Sequence, residues 1–173
     1  LDERSLNREV RGAFLQALHR LPNVECVDVG AGTGATARRL LSGGLTGPLS
    51  LTALDRDAAL LAIARDDAAG RMRASGLAPR VEAGEIRAEG ERATAIRFVA
   101  RELKDYPPDR PCNVITAHAV LDIVPLAETL RSFTAWLQPG GHLYASLNYD
   151  GDTALLPTYD DAAFEARLLD HYD

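Results

Sequence analysis

Three glycines at alternate positions, Gly30, Gly32 and Gly34, follow a short apolar run in the segment VDVGAGTGATARRLL, residues 27–41. A helical pattern begins directly after them. Glycine accepts a positive φ angle and lets a ligand approach the backbone closely, and the first turn of a helix offers free N–H groups. A turn of this kind suits two ligand classes. One is a dinucleotide, since GAGTGA also fits the G-x-G-x-x-A form, and the other is S-adenosylmethionine.

Asp28 lies two positions before the first glycine. Its negative charge favours one of these two ligand classes over the other. A dinucleotide would place its pyrophosphate at the start of the helix, where a neighbouring carboxylate would repel it. S-adenosylmethionine has no phosphate there, and its ammonium and sulfonium groups are cations that an acid attracts. The alternative is that Asp28 only caps the turn.

A second acid, Asp55, ends the next apolar run, LTALD. A carboxylate at this place can accept hydrogen bonds from both hydroxyls of a ribose. Asp55 does not separate the two cofactors, because NAD requires the same acid. Its alternative role is to cap the following helix, for which Asp57 is the better candidate.

Five apolar runs alternate with amphipathic segments along the chain. Periodicity predicts helices over 3–20, 33–44, 56–76, 125–138 and about 160–171, and strands over 24–30, 49–55, 95–100, 112–120 and 142–150. Residues 78–93 are polar and charged and predict a loop or a short irregular excursion. The strands are nearly continuous apolar runs, which is typical of a parallel sheet covered on both faces. The fold class is therefore α/β, with a doubly wound, mostly parallel, Rossmann-like sheet and an N-terminal helix.

With these motifs the chain resembles the class I S-adenosylmethionine-dependent methyltransferases. VDVGAGTG is similar to the glycine motif of that family and LTALDRD to its second motif. CNVITAHAVLDIVP is similar to the fourth-strand motif, and LQPGGHLYAS to the fifth strand and the turn before it. The segments VITAHAVLDIVP and LYASLNYDG more narrowly resemble bacterial methyltransferase-domain proteins without an assigned acceptor.

The resemblance implies a set of cofactor contacts, carried over position by position. The acid and the glycine turn would flank the methionine part, the acid after the second strand would hold the ribose, and the acid after the third strand would face the adenine. Asp105 is the second choice for that last role. The implied cofactor-binding residues are Asp28, Gly30, Ala31, Gly32, Thr33, Gly34, Asp55, Arg56, Glu102, Leu103, Ala117 and His118.

Catalytic residues are less defined. His118 follows the fourth strand and Tyr149 ends the fifth, so both are candidates for contact with the acceptor. His118 as a general base competes with His118 as a wall of the pocket, because an activated sulfonium needs mainly proximity and orientation to react. Asp122 could take part in general-base catalysis with His118, or it could cap or brace the helix that follows. Asp150 could contact the acceptor or belong to a turn. On the first helix Arg4, Asn7 and Arg8 could reach the methionine carboxylate or be solvated.

The sheet departs from the usual seven-stranded pattern of the family, because only five strands are predicted. Either strands six and seven lie outside this sequence or the domain is a reduced one. We expect a single domain over residues 1–173, with an N-terminal helical segment at 1–22, a core at 23–151 and a C-terminal extension at 152–173 that is truncated.

Composition narrows the function further. The net charge of −6 disfavours a nucleic-acid partner, no apolar run is long enough to span a membrane, and the four histidines show no metal-ligand spacing. Cys26 and Cys112 predict free thiols in a cytoplasmic protein. The function expected is methyl transfer from S-adenosyl-L-methionine, with S-adenosyl-L-homocysteine as product, to a small-molecule acceptor by direct displacement. The alternatives are an NAD(P)-dependent oxidoreductase and a non-catalytic cofactor-binding module.

Overall fold

The structure, a computed structural model, describes residues 6–82, 84–90, 92–147 and 160–172. The helices in this part are α1 (Arg8–His19), α2 (Ala35–Ser42), α3 (Ala58–Ala74), α4 (Leu126–Trp136) and α5 (Ala162–Tyr172). The strands are β1 (Val24–Val29), β2 (Leu49–Asp55), β3 (Arg80–Glu82), β4 (Glu85–Ala88), β5 (Thr94–Ala100), β6 (Cys112–His118) and β7 (Leu137–Ser146). A short 3-10 helix, Leu103–Asp105, follows β5.

These strands form one sheet in the order β3-β4-β5-β2-β1-β6-β7. The pairs β5–β2, β2–β1, β1–β6 and β6–β7 are parallel, while β3–β4 and β4–β5 are antiparallel. The predicted doubly wound, mostly parallel fold is thereby confirmed. Strand order reverses beside β1, which has β2 on one side and β6 on the other, and ligands of such sheets bind at this reversal.

The core lies in two layers, one on each face of the sheet. On one face Leu18 of α1, Leu40 of α2 and Met72 of α3 pack against the inner residues of β1 and β6. On the other face Phe133 and Trp136 of α4 cover a second cluster. Burial of one such large side chain contributes about 1.5–3 kcal/mol. The strands at the centre are apolar along their length because both of their faces are covered.

The prediction of a loop or a short irregular excursion over residues 78–93 was wrong, because this segment contains the regular antiparallel strands β3 and β4. β4 pairs with β5 and places Ile86, which is fully buried, opposite Ile96. Every residue of β3 is exposed, as expected for an edge strand. The polar sequence hid this hairpin because only Ile86 and Ala88 point into the core.

Two element boundaries also differ from expectation. α1 begins at Arg8, because the Asn7 side chain accepts hydrogen bonds from the backbone N–H groups of Glu9 and Val10, at 2.9 and 3.1 Å, and so ends the preceding extended chain. β7 begins at Leu137 instead of 142, directly after α4. Its pairing with β6 is irregular between Cys112 and Val114, which accommodates the turn-like sequence QPGG inside the strand.

The sheet has seven strands, but the two beyond the predicted five lie at the β5 edge. Within the described residues β7 pairs only with β6. The prediction of five strands was therefore wrong in number, because the β3–β4 hairpin adds two antiparallel strands. None of the helices in this part has the length and the apolar character that crossing a membrane requires.

Gly30 allows the loop after β6 to pack directly on the glycine turn. Its φ angle is +68°, and a methyl group at this position would overlap Cγ2 of Val120. Gly32 also has a positive φ angle, +50°, but open space surrounds the position where its Cβ would be. The first glycine is therefore required by a close approach within the protein, and the second only by backbone conformation.

We expect Gly30→Ala to lower the free energy of unfolding by about 2–4 kcal/mol, the sum of left-handed strain and overpacking. Gly32→Ala, the matched control, carries the strain alone and should cost about 1–2 kcal/mol. Urea unfolding monitored by circular dichroism measures both. Adding Val120→Ala should recover part of the Gly30→Ala loss, and no recovery would contradict the proposed contact.

Candidate functional site

Chemically capable side chains gather at the carboxyl ends of the parallel strands, beside the reversal of strand order. Asp28 is on β1, Asp55 ends β2, and His118 ends β6. Glu102 follows β5, whose end is held beside β2 by a hydrogen bond from the backbone N–H of Arg101 to the carbonyl of Asp55 at 2.9 Å. Four neighbouring strands thus contribute to one edge of the sheet, as the sequence predicted for a single site.

Asp55 links the end of β2 to the glycine turn. Its Oδ2 accepts a hydrogen bond from the backbone N–H of Gly32 at 2.8 Å, and its Oδ1 accepts one from the N–H of Asp57 at 2.9 Å. A carboxylate has about four acceptor positions, so lone pairs remain for further donors. Asp57, not Asp55, caps α3 by accepting from Ala59 and Leu60.

Asp28 is buried, with 3% of its surface exposed. Its Oδ1 accepts hydrogen bonds from the hydroxyls of Thr36 on α2, at 2.9 Å, and Thr116 on β6, at 2.7 Å. Burial raises the pKa of Asp28 from 3.8 to about 6, while the two hydroxyls and the charge of Arg39 act in the opposite direction. The carboxylate therefore joins three elements and ionises near neutral pH.

A cavity of about 450 Å³ lies between α1 and α2 and reaches the ends of β6 and β7. Both threonines that hold Asp28 line this cavity, together with His118 and Tyr144. Asp28 itself is behind the wall, so its charge acts on the cavity through Thr36 and Thr116. Four arginines also line the cavity: Arg11, Arg38, Arg39 and Arg71.

His118 is held on two sides. Its Nδ1 is 2.9 Å from the hydroxyl oxygen of Ser146 on β7, and its ring meets that of Tyr144 edge-on, with centroids 4.8 Å apart. The Tyr144 ring packs in turn on Phe14 of α1, at 4.5 Å. Burial, followed by the charge of Arg39, lowers the pKa of His118 to about 4. The imidazole is therefore neutral at pH 7.

The other predicted residues differ in burial and position. Arg56, Thr33, Glu102 and Asp105 are exposed at this edge of the sheet, and Leu103 packs against the second core cluster. Ala31 and Ala117 are buried, and Ala117 belongs to the second core cluster. His118, the residue after Ala117, lines the cavity. Asn7 caps α1 and Arg8 is exposed, while Asp122 lies half-buried after β6. Arg4, Tyr149 and Asp150 lie outside the described residues.

Four residues of the site were missed by sequence reasoning: Thr36, Thr116, Tyr144 and Ser146. Thr116 lies two residues before His118 on β6 and pairs in register with Asp28 on β1. A prediction that β1 and β6 are neighbours could have revealed this contact. Ser146 pairs with His118 in the same way across β6 and β7. For Thr116 the available signal was a hydroxyl residue inside a buried strand.

A larger groove, about 540 Å³, opens at the amino ends of the strands. It includes Val24, Leu49, Thr94 and Cys112, the first residues of four strands. Ligands of open parallel sheets bind at the carboxyl ends, so this groove is not the site predicted by the motifs. Among the residues that the structure describes, no group of three His, Cys, Asp or Glu side chains could hold a metal ion. Cys26 and Cys112 are both buried, free thiols, as predicted.

A family model described as "Methyltransferase domain" matches residues 3–172. The chain belongs to this methyltransferase-domain family, which confirms the resemblance noted in the sequence. No curated protein matches the chain.

Solved structures share the fold at low sequence identity. A S-adenosylmethionine-dependent methyltransferase from Geobacter sulfurreducens, solved with S-adenosyl-L-homocysteine, is 18% identical over 81% of this chain and 48% of its own, with a TM-score of 0.55. YjhP from E. coli is 16% identical over 81% and 49%, with a TM-score of 0.56. The plantazolicin methyltransferase BpumL, bound to a triazolic desmethylPZN analog and S-adenosylhomocysteine, is 14% identical over 79% and 43%, with a TM-score of 0.53. The chain spans about half the length of these proteins.

The raised pKa of Asp28 predicts a pH-dependent stability difference. The folded protein holds a proton on this group between pH 3.8 and about 6 while the unfolded chain does not. Its stabilising contribution is therefore present below pH 3.8 and lost as the pH rises through 6. Asp28→Asn keeps an oxygen that can accept from both threonines, so relative to wild type it should gain up to about 3 kcal/mol from acid to neutral pH.

Urea unfolding at a series of pH values measures this difference directly. His118 titrates in both proteins and cancels in the comparison. A difference that is constant between pH 4 and pH 8 would show that Asp28 does not have a raised pKa.

Proposed function

We propose that this protein transfers a methyl group from S-adenosyl-L-methionine to a small-molecule acceptor and releases S-adenosyl-L-homocysteine. The observation that carries the proposal is the pair of carboxylates, Asp28 and Asp55, at neighbouring strand ends on either side of the glycine turn. Their negative charge suits a cationic donor and disfavours a diphosphate. Membership of the methyltransferase-domain family supports the same activity.

Each part of the cofactor has a candidate partner in this arrangement. The remaining lone pairs of Asp55 would accept the two ribose hydroxyls, next to the N–H of Gly32. Arg56 and Glu102, with Leu103, would border the adenine. The hydroxyls of Thr36 and Thr116 would carry the charge of Asp28 towards the methionine part. Thr33, Ala31 and Ala117 contribute mainly backbone to the walls.

The chemistry required is a direct displacement. A lone pair of the acceptor attacks the methyl carbon, the carbon–sulfur bond breaks, and its electron pair stays on sulfur. Since the sulfonium is already activated, alignment of donor and acceptor accounts for much of the rate. A cavity of about 450 Å³ is within the range of small-molecule sites, which supports a small acceptor over a macromolecule.

S-Adenosylhomocysteine should raise the melting temperature of the protein, whereas NAD should not. The expected direction follows from the charges of Asp28 and Asp55, and thermal shift at matched ionic strength measures it. A shift with NAD alone would favour an oxidoreductase. Tight binding of S-adenosylhomocysteine without methyl transfer to any acceptor, in the full-length protein, would favour a cofactor-binding module.

Asp55→Asn should weaken S-adenosylhomocysteine binding about 10- to 100-fold, because hydrogen bonds to a charged group contribute about 1.5–3 kcal/mol. Asp57→Asn is the matched control. It lies two residues away, retains a good helix cap and should leave the dissociation constant within about twofold of wild type. Isothermal titration calorimetry measures both, and equal losses would argue against a ribose contact at Asp55.

A further inference from the structure

Of the two ring nitrogens of His118, only Nδ1 has a hydrogen-bond partner among the described residues. Ser146 occupies Nδ1 at 2.9 Å, and Tyr144 packs against the ring. Among the described residues none bonds to Nε2, the nitrogen across the ring. Because His118 lines the cavity, Nε2 is the atom that a ligand there can reach.

The backbone around this pair is also fixed. His118 and Ser146 are register partners in adjacent strands, and the carbonyl of Ser146 accepts a hydrogen bond from the N–H of Ala119 at 2.8 Å. Ala119 has a φ angle of +55°, a conformation that non-glycine residues rarely adopt and that turns the chain away immediately after His118. Strained residues of this kind persist where the surrounding structure determines them. Ser146 therefore contacts the His118 ring through its side chain and holds the following residue, Ala119, through its backbone carbonyl.

We infer that Ser146 is a positioning residue which keeps the His118 imidazole with Nδ1–H towards its own hydroxyl and Nε2 towards the cavity, where Nε2 takes the proton of a hydroxyl acceptor. The inference rests on the proposed methyl transfer. A hydroxyl oxygen of the acceptor forms the bond to the methyl carbon as the carbon–sulfur bond breaks. The hydroxyl proton passes to Nε2 and then to solvent, and the acceptor leaves as a methyl ether.

Ser146 suits both protonation states of the ring. When Nε2 gains the proton, both ring nitrogens are donors, and the Ser146 oxygen accepts from Nδ1–H before and after the transfer. A proton acceptor at Nε2 suits a hydroxyl compound in particular. A hydroxyl oxygen becomes strongly acidic as it gains a methyl group and must lose its proton, whereas a neutral amine attacks through its lone pair without losing a proton first.

The charged and titratable groups around His118 come from each packed element. Asp28 on β1 acts through Thr116, Arg39 on α2 and Arg11 on α1 line the same cavity, and Tyr144 on β7 packs on the ring. Asp28 titrates near pH 6, so a pH profile of the wild type contains its ionisation as well as that of His118. Comparison with Asp28→Asn removes that contribution.

The first experiment reads the tautomer without any acceptor. In ¹⁵N-histidine-labelled protein with S-adenosylhomocysteine at pH 7, with the His118 signals assigned through His118→Gln, Nδ1 should be protonated and Nε2 unprotonated. Ser146→Ala should change this distribution and Ser146→Thr should restore it, while Ser75→Ala, at an exposed helix end, should match wild type. An Nε2–H tautomer in the wild type would overturn the inference.

The second experiment measures turnover of radiolabelled S-adenosylmethionine with matched panels of alcohols, phenols and amines. Hydroxyl compounds should be methylated, with kcat reduced about 100-fold in His118→Gln and about 10-fold in Ser146→Ala, recovery in Ser146→Thr, and KM little changed. Methylation of amines alone, or a kcat in Ser146→Ala equal to wild type, would overturn the inference and leave the proposed methyl transfer intact. Failure to bind S-adenosylhomocysteine would instead reject the proposed function.

Discussion

The buried carboxylate of Asp28 is the interaction on which the arrangement of the site depends. A carboxylate removed from water is costly unless it is hydrogen-bonded, and here two hydroxyls from different elements, Thr36 of α2 and Thr116 of β6, donate to one oxygen. Meeting this requirement ties the central strand, the helix after the glycine turn and the strand that carries His118 to a common point. Both threonines of this junction line the cavity.

The same burial makes the site electrostatically responsive. A carboxylate whose pKa is about 6 has a large desolvation cost, which the two threonine hydroxyls and the charge of Arg39 offset only in part. Asp55 differs because it is half-buried and accepts hydrogen bonds from the backbone N–H groups of Gly32 and Asp57. In the proposed function the two acids have separate tasks: Asp28 supplies charge from behind the wall of the cavity, and Asp55 supplies acceptor atoms at the surface.

Two groups of strands carry the residues that the proposed reaction would use. β1, β2 and β5 end in the glycine turn and the acids that suit a cofactor, while β6 and β7 end in the His118–Ser146 pair. Val120, in the loop after β6, packs on Gly30 of the glycine turn. This contact joins the two groups of strands. The proposed donor and acceptor sites would thereby be held at a distance fixed by the core, as a displacement reaction requires.

The sequence by itself determined the parallel core, the glycine turn, the placement of Asp28 and Asp55 at strand ends, and the family. Those features are local or periodic, since continuous apolar strands and glycine spacing are visible without knowledge of neighbours. The tertiary structure alone decided that the segment at 78–93 is a hairpin, because only Ile86 and Ala88 signal burial there. It also decided the partners of the site, Thr36, Thr116 and Ser146, because hydrogen bonds between distant residues depend on strand order and register, which local patterns do not encode.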